Sequence, residues 1–253
     1  MDPSHDLSAA LEAAAAAARV IRELYARNIA VEIKADKSPV TEADVRAERA
    51  IREVLAARTP GYGFYGEETG RTGSADTLWL VDPIDGTKAF VREYPMFSTQ
   101  IALWRDGRAV LGVSSAPLYG ELAWAERGAG AWLNGRRLKV SGIATLEEAA
   151  LSGGNLRTLA AGPGWMRYGE VVQRVSRIRG YGDFLHYHLL AGGKIDAVVE
   201  SDVNILDVAA LVTIVEEAGG RFTALDGRPV GLDTTTVLAT NGLLHAPLLA
   251  ALG

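Results

Sequence analysis

Apolar positions recur at helical spacing along the first stretch of the chain. Leu11, Ala15, Ala18, Ile21 and Leu24 fall on one stripe of a segment running from Leu7 to Arg27, with Asp6 or Ser8 placed to cap it. Val31-Glu32-Ile33-Lys34 reads as a short strand, followed by a turn through Lys37-Ser38-Pro39. A second helix is predicted from Thr41, whose spacing to Asp44 fits a capping box. Ala47, Ile51, Val54 and Leu55 form its inner face, and Thr59-Pro60-Gly61 ends it. Phe64-Tyr65 then leads into Gly66-Glu67-Glu68-Thr69-Gly70, and Leu78-Trp79-Leu80-Val81 reads as a strand.

Strand patterns at hairpin spacing follow, near Thr99–Trp104, Ala109–Ser114, Glu121–Ala125 and Ala131–Leu133. Asp106-Gly107, Tyr119-Gly120 and Arg127-Gly128 divide them, and Asn134-Gly135 turns the chain again before Leu138-Lys139-Val140. This predicts an antiparallel meander. From about Ser141 the pattern changes to predicted helices at Trp165–Ile178, Asp183–Ala191, Leu206–Ala218 and Leu243–Leu252. They alternate with strands at Ile195–Glu200, Arg221–Ala224 and Val237–Thr240. The fold class is α/β with an α+β N-terminal half, and the organisation divides into residues 1–143 and 144–253 without a flexible linker.

Within the first half, the most informative stretch is Asp82-Pro83-Ile84-Asp85-Gly86-Thr87-Lys88. Proline fixes its own φ and disfavours helical geometry at Asp82, so two carboxylates sit on a stiff turn that opens a short helix. At ~4 Å and an effective dielectric of ~20, two such anions repel by about 4 kcal/mol. A bound cation removes that cost; an Asx turn with Asp85 capping the next helix is the structural alternative.

Composition narrows the cation. The chain has 253 residues, 48% of them hydrophobic, enough for one large or two small cores. It carries a net charge of −5 with its basic residues scattered, which gives no nucleic-acid footprint. Cysteine is absent and only four histidines occur, which leaves oxygen ligands and hence magnesium or manganese. The start Met-Asp-Pro-Ser-His-Asp lacks a basic leader, and Arg19, Arg22 and Glu23 cut the alanine run short of a membrane span. The expectation is a soluble, cytoplasmic protein with no membrane partner.

Other acids are candidates for the same site, each with a structural alternative. Glu67 and Glu68 form either a ligand pair or a solvated pair; Asp207 is either a ligand or the N-cap of the apolar helix after it. Asp44 is either a base or the acidic half of a capping box, and Thr87 either orients water beside Asp44 or is a turn hydroxyl. Gly86 and Thr87 open a helix whose amides suit an anion.

Gly66-Glu67-Glu68, Asp82-Pro83-Ile84-Asp85-Gly86-Thr87 and Asp207-Val208-Ala209-Ala210 with Gly219-Gly220 resemble the inositol monophosphatase superfamily. The stretch Ser38-Pro39-Val40-Thr41-Glu42-Ala43-Asp44 resembles the family's segment before its water-activating aspartate. The resemblance runs from about Leu7 to the C-terminus and implies a layered α-β-α-β-α sandwich of the inositol monophosphatase and fructose-bisphosphatase type. It implies a magnesium-dependent, often lithium-sensitive phosphomonoesterase with two or three Mg²⁺ ions, Mn²⁺ as a substitute, and a homodimer. Carried onto this chain, Glu67, Asp82 and the Ile84 carbonyl hold one metal, and Asp82, Asp85 and Asp207 the second. Glu68, Thr87 and Asp44 position or activate water, the Gly86 and Thr87 amides take phosphate, and Glu200 meets the substrate's polar body.

Three departures refine the expectation. Leu206 replaces a tryptophan, Lys88-Ala89-Phe90 replaces Thr-Asn-Phe, and Tyr181-Gly182-Asp183 stands where inositol phosphatases often have Gly-Ser-Ala. The last resembles the histidinol-phosphatase branch, with Asp183 either meeting a substrate ammonium or capping a helix. Histidinol phosphate is thus the favoured substrate, a small phosphorylated metabolite hydrolysed by metal-activated water. The alternatives are an inositol 1-phosphate, a nucleotide 3′-phosphate, or a catalytically silent relative that binds or regulates.

Overall fold

A computed structural model describes residues 3–25, 27, 31–33 and 39–253. Strand Thr77–Asp85 shows how its layers arise. Successive side chains alternate between the two faces of a strand, so Leu78 and Leu80 enter one core while Trp79 and Val81 enter another. Its neighbour Ser98–Arg105 does the same with Ala102 and Trp104 against Ile101 and Leu103. A sheet buried on both faces needs helices on both sides. Helices His5–Leu24 and Glu42–Arg58 cover one face, and Asp183–Ala191 with Ile205–Glu217 covers the other.

This sheet has eight strands in the spatial order Arg136–Arg137, Gly130–Leu133, Glu121–Glu126, Arg108–Ala116, Ser98–Arg105, Thr77–Asp85, Gly63–Gly66, Gly70–Thr72. All neighbours are antiparallel except Gly63–Gly66 beside Thr77–Asp85. The predicted meander is therefore observed, with Asp106-Gly107 and Asn134-Gly135 at left-handed φ in its turns. A second sheet orders Arg177–Arg179, Ala150–Gly154, Ala197–Ser201, Thr236–Thr240 and Arg221–Thr223, with both parallel and antiparallel pairs. Val198 faces the Ile205–Glu217 helix, while Ala197 and Val199 face a third core closed by Gly164–Arg174 and His245–Leu252. The layers run α-β-α-β-α, as expected.

Several local expectations are corrected. The first helix ends at Leu24 and is capped by Ser4, whose hydroxyl accepts from the Leu7 amide; Ala15 lies on its exposed side. Ile178 belongs to strand Arg177–Arg179 and not to the helix before it, which stops at Arg174. Strand Ala150–Gly154 and the short helix Arg157–Ala161 carry weak patterns and were not anticipated. Val31–Ile33 pairs with Pro39–Thr41, whereas Lys34 and the turn through Lys37 and Ser38 lie outside the described residues.

Candidate active site

Strand Thr77–Asp85 pairs with Ser98–Arg105 in register as far as Asp82 opposite Gln100, then slips and resumes at Asp85 opposite Ser98. Pro83, without an N–H to offer the ladder, sits within the slip. The expected stiff turn is thus a bulge within a continuous strand. The Ile84 amide donates to Asp82 Oδ1 at 2.9 Å, which fixes that carboxylate. Asp85 does not cap the following helix; Gly86 does, at φ +92° and without a side-chain bond. A Cβ at Gly86 would fall 2.7 Å from the Met96 carbonyl oxygen, so both space and backbone require glycine there.

Two capping boxes deliver acids from elsewhere. In helix Glu42–Arg58, Asp44 Oδ2 accepts from the Thr41 amide at 2.8 Å and from the Thr41 hydroxyl at 2.6 Å, as the spacing predicted. Its Oδ1 lies 3.2 Å from Thr87 Oγ1, which also lies 3.0 Å from the Ile84 carbonyl oxygen. In helix Ile205–Glu217 the cap is Asn204 and not Asp207: Asp207 is the third helical residue, and its carboxylate accepts from the Asn204 amide and side chain at 2.8 and 2.7 Å. The helix sits close to the large sheet because Gly112 has no side chain; a Cβ there would be 2.2 Å from the Ala210 carbonyl oxygen.

The consequence is that one carboxylate oxygen each from Asp82, Asp85 and Asp207 lie within 4.8 Å of one another. Burial pushes the pKa of all three above the usual carboxylate range, and the neighbouring acids add to it. Asp82 is raised well above normal by burial, then by Glu67, Asp85 and Asp207, and its side chain shares a hydrogen bond with Glu67. Asp85 is raised likewise by burial, then by Asp183, Asp207 and Glu200. Asp207 is pushed up to about 7, chiefly by burial and against the bonds from Asn204. Asp44 is raised by burial despite the bonds from Thr41 and Thr87. Oxygen-only donors that repel one another suit a hard divalent cation, so the residues present fit a magnesium or manganese site.

Glu67, Asp82, Asp85, Asp207, Gly86 and Thr87 all line one cleft of about 400 Å³, together with Ile84 and Asp183. Asp183 is the first residue of its helix after Gly182 at the N-cap, and takes an uncommon left-handed φ of +44°. Its pKa is raised to about 6 by burial and by Glu200, against His186 and Lys88. Glu200 is buried in the wall: Tyr187 Oη donates to its Oε2 at 2.6 Å, His186 Nε2 lies 3.2 Å from the same oxygen, and Asn155 Nδ2 lies 3.3 Å from Oε1. A recess that shares Asp85, Asn155, Asp183 and Asp207 with the main cleft adds Tyr187 and Glu200. Glu68 lies on the turn beside Glu67, with its amide donating to Glu48.

Sequence reasoning passed over Glu48, Asn155, His186 and Tyr187. Glu48 stands one helical turn after Asp44, a spacing that signals a shared face. Asn155 comes from an unrecognised strand end and left no signal.

A model of the inositol monophosphatase family matches residues 2–253. The chain belongs to that family. A histidinol-phosphatase of Mycobacterium tuberculosis is 42% identical over 263 aligned positions, covering 98% of this chain and 98% of that protein. An inositol-1-monophosphatase of Caulobacter vibrioides is 36% identical, covering 97% and 98%. The crystal structure of the extragenic suppressor protein suhB from Bartonella henselae superposes over 98% of both chains with a TM-score of 0.91 at 33% identity. The five layers described above are thus the inositol monophosphatase fold, and named relatives across the whole length are phosphatases. Among the described residues no helix is long and apolar enough to cross a membrane.

Proposed function

We propose that this member of the inositol monophosphatase family is a divalent-cation-dependent phosphomonoesterase whose substrate is histidinol phosphate. The convergence of Asp82, Asp85 and Asp207 carries the reading, because three mutually repelling acids, Asp82 buried and the other two half-buried, are costly to hold together without a cation to bind. In this proposal Glu67, Asp82 and the Ile84 carbonyl hold one Mg²⁺, and Asp82, Asp85 and Asp207 another, with a third ion or Mn²⁺ in place of Mg²⁺ admissible. When bound, such ions lower the pKa of a water and offset charge on the phosphoryl and leaving oxygens.

The chain's own groups do the rest. Asp44 accepts the Thr87 hydroxyl proton, which leaves the Thr87 oxygen able to accept from a water at the cleft. Glu68 assists in positioning that water, while the Gly86 and Thr87 amides hold the phosphate. Water adds to phosphorus, the ester oxygen leaves and takes a proton, and inorganic phosphate and the free alcohol result.

Substrate choice rests on the far side of the cleft. An inositol ring offers only hydroxyls, whereas histidinol phosphate carries an ammonium and an imidazole, which Asp183 and Glu200 suit. A charge-assisted bond is worth about 1.5–3 kcal/mol, roughly ten- to hundredfold in discrimination. The test is a panel of histidinol phosphate, inositol 1-phosphate, a nucleotide 3′-phosphate and an aryl phosphate, with Mg²⁺ and with EDTA. Asp183→Asn should lower kcat/KM for histidinol phosphate ten- to hundredfold and leave the aryl phosphate within threefold. Faster wild-type turnover of inositol 1-phosphate overturns the substrate, and full activity in EDTA overturns the mechanism.

A further inference from the structure

Helix Glu42–Arg58 presents polar side chains at three successive turns to the site and to the hairpin that carries Glu67. Asp44 meets Thr87; Glu48, four residues on, meets the segment Glu67-Glu68-Thr69; Arg52, four further, lies 3.3 Å from Thr69 Oγ1 and 3.1 Å from Thr72 Oγ1. Residues at this spacing share one helix face. Glu48 is the unusual member, a carboxylate only 1% exposed. Its Oε2 accepts from the Glu68 amide at 2.8 Å and its Oε1 from the Thr69 amide at 2.9 Å.

The preceding amide, that of Glu67, donates to the Val81 carbonyl oxygen at 3.1 Å, immediately before Asp82. Three consecutive backbone N–H groups are therefore assigned, one to the strand bearing Asp82 and two to Glu48. With three amides fixed, the backbone that aims Glu67 and Glu68 has little freedom left. Gly66 records the same tight fit, since a Cβ there would lie 2.4 Å from Glu48 Oε2.

The geometry points to Glu48 as a positioning residue that acts through these two amides to fix the Glu67-Glu68-Thr69 backbone, and with it to hold the Glu67 side chain beside Asp82. Glu48 itself does not line the cleft. This inference rests on the divalent-cation reading above. Groups that orient a metal's ligands typically contribute ten- to hundredfold to affinity.

Calorimetric Mn²⁺ titration of the metal-free full-length chain tests it, comparing wild type with Glu48→Gln and Glu48→Asp. Gln places an NH₂ against one of the two amides; Asp keeps both acceptors on a shorter stem. The Mn²⁺ dissociation constant should rise ten- to hundredfold in Glu48→Gln and by less in Glu48→Asp. Half-saturating Mn²⁺ in an aryl phosphatase assay should move in parallel, with substrate KM unchanged at saturating metal. A merely structural role lowers the folded fraction and scales kcat without moving half-saturation. Folded Glu48→Gln with Mn²⁺ affinity within twofold of wild type overturns the proposal, and Glu48→Asp decides by the same criterion if Gln does not fold. Wild type that binds no Mn²⁺ instead overturns the cation reading on which the inference stands.

Discussion

Asp82 is the residue on which most of the local chemistry converges. It is buried, fixed by the Ile84 amide, hydrogen-bonded to Glu67, and repelled by Asp85 and Asp207. In the proposed site it serves both cations. Asp82→Asn keeps the size and can still accept from Ile84, but removes one anion and weakens a ligand. Turnover should fall by at least a hundredfold, while the melting temperature of the metal-free protein should hold or rise as repulsion is relieved. Parallel kinetic and calorimetric measurements check this; a variant that unfolds yet keeps its specific activity would leave Asp82 only a structural role. Legibility at this scale was uneven. Asp82, Asp85 and Asp207 were visible because acids flanking Pro or opening an apolar helix are chemically conspicuous. Glu48 was not, because an acid on a helix full of charges reads as solvated until its burial is known.

At the scale of elements, the site depends on where two helices begin. Asp44 and Asp207 are both the third helical residue, closing a capping box, a position that aims a carboxylate back past the helix start. Thr41 and Asp44 announced the first box by their spacing. Asn204 went unnoticed as the second cap, a place open to Asp207 only as the alternative to a ligand. What brings the second helix to the cleft is its packing on the large sheet at Gly112. Gly112→Ala puts a methyl group where the Ala210 carbonyl already is, and overpacking of this kind costs about 1–3 kcal/mol. We expect a lower melting temperature together with a higher Mg²⁺ requirement, since Asp207 moves with its helix. Wild-type values for both would show that the contact does not position Asp207.

For the molecule as a whole, the clustered acids tie stability to pH and to cation. Asp82, Asp85 and Asp207 have folded-state pKa values above those of an unfolded chain, near 4. Above that pH the folded state holds protons that the unfolded state has released, so metal-free stability falls as pH rises toward about 7, the value for Asp207. A cation binding only the folded state replaces those protons. The gap in melting temperature between Mg²⁺-loaded and EDTA-treated protein should therefore widen from pH 5 to pH 8. His245 works in the opposite sense: burial lowers its pKa to about 4, so its contribution is lost as pH falls from about 6.5. It lines neither the cleft nor its recess and is common to both samples, so it cancels in the gap. A gap that narrows with rising pH would contradict the assigned cluster.

The sequence by itself determined which segments alternate, which turn and which carry acids, because period, proline, glycine and capping spacing are local properties of the chain. It thereby supplied the meander, most helices and the candidate acids. Only the tertiary structure decided that the Pro83 segment is a bulge within a strand, that Asp207 meets Asp82 across more than a hundred residues, and that Glu48 and Glu200 are buried among hydrogen-bond donors. These depend on which faces pack together. That choice is made by the summed burial of distant apolar side chains, to which no single local pattern corresponds.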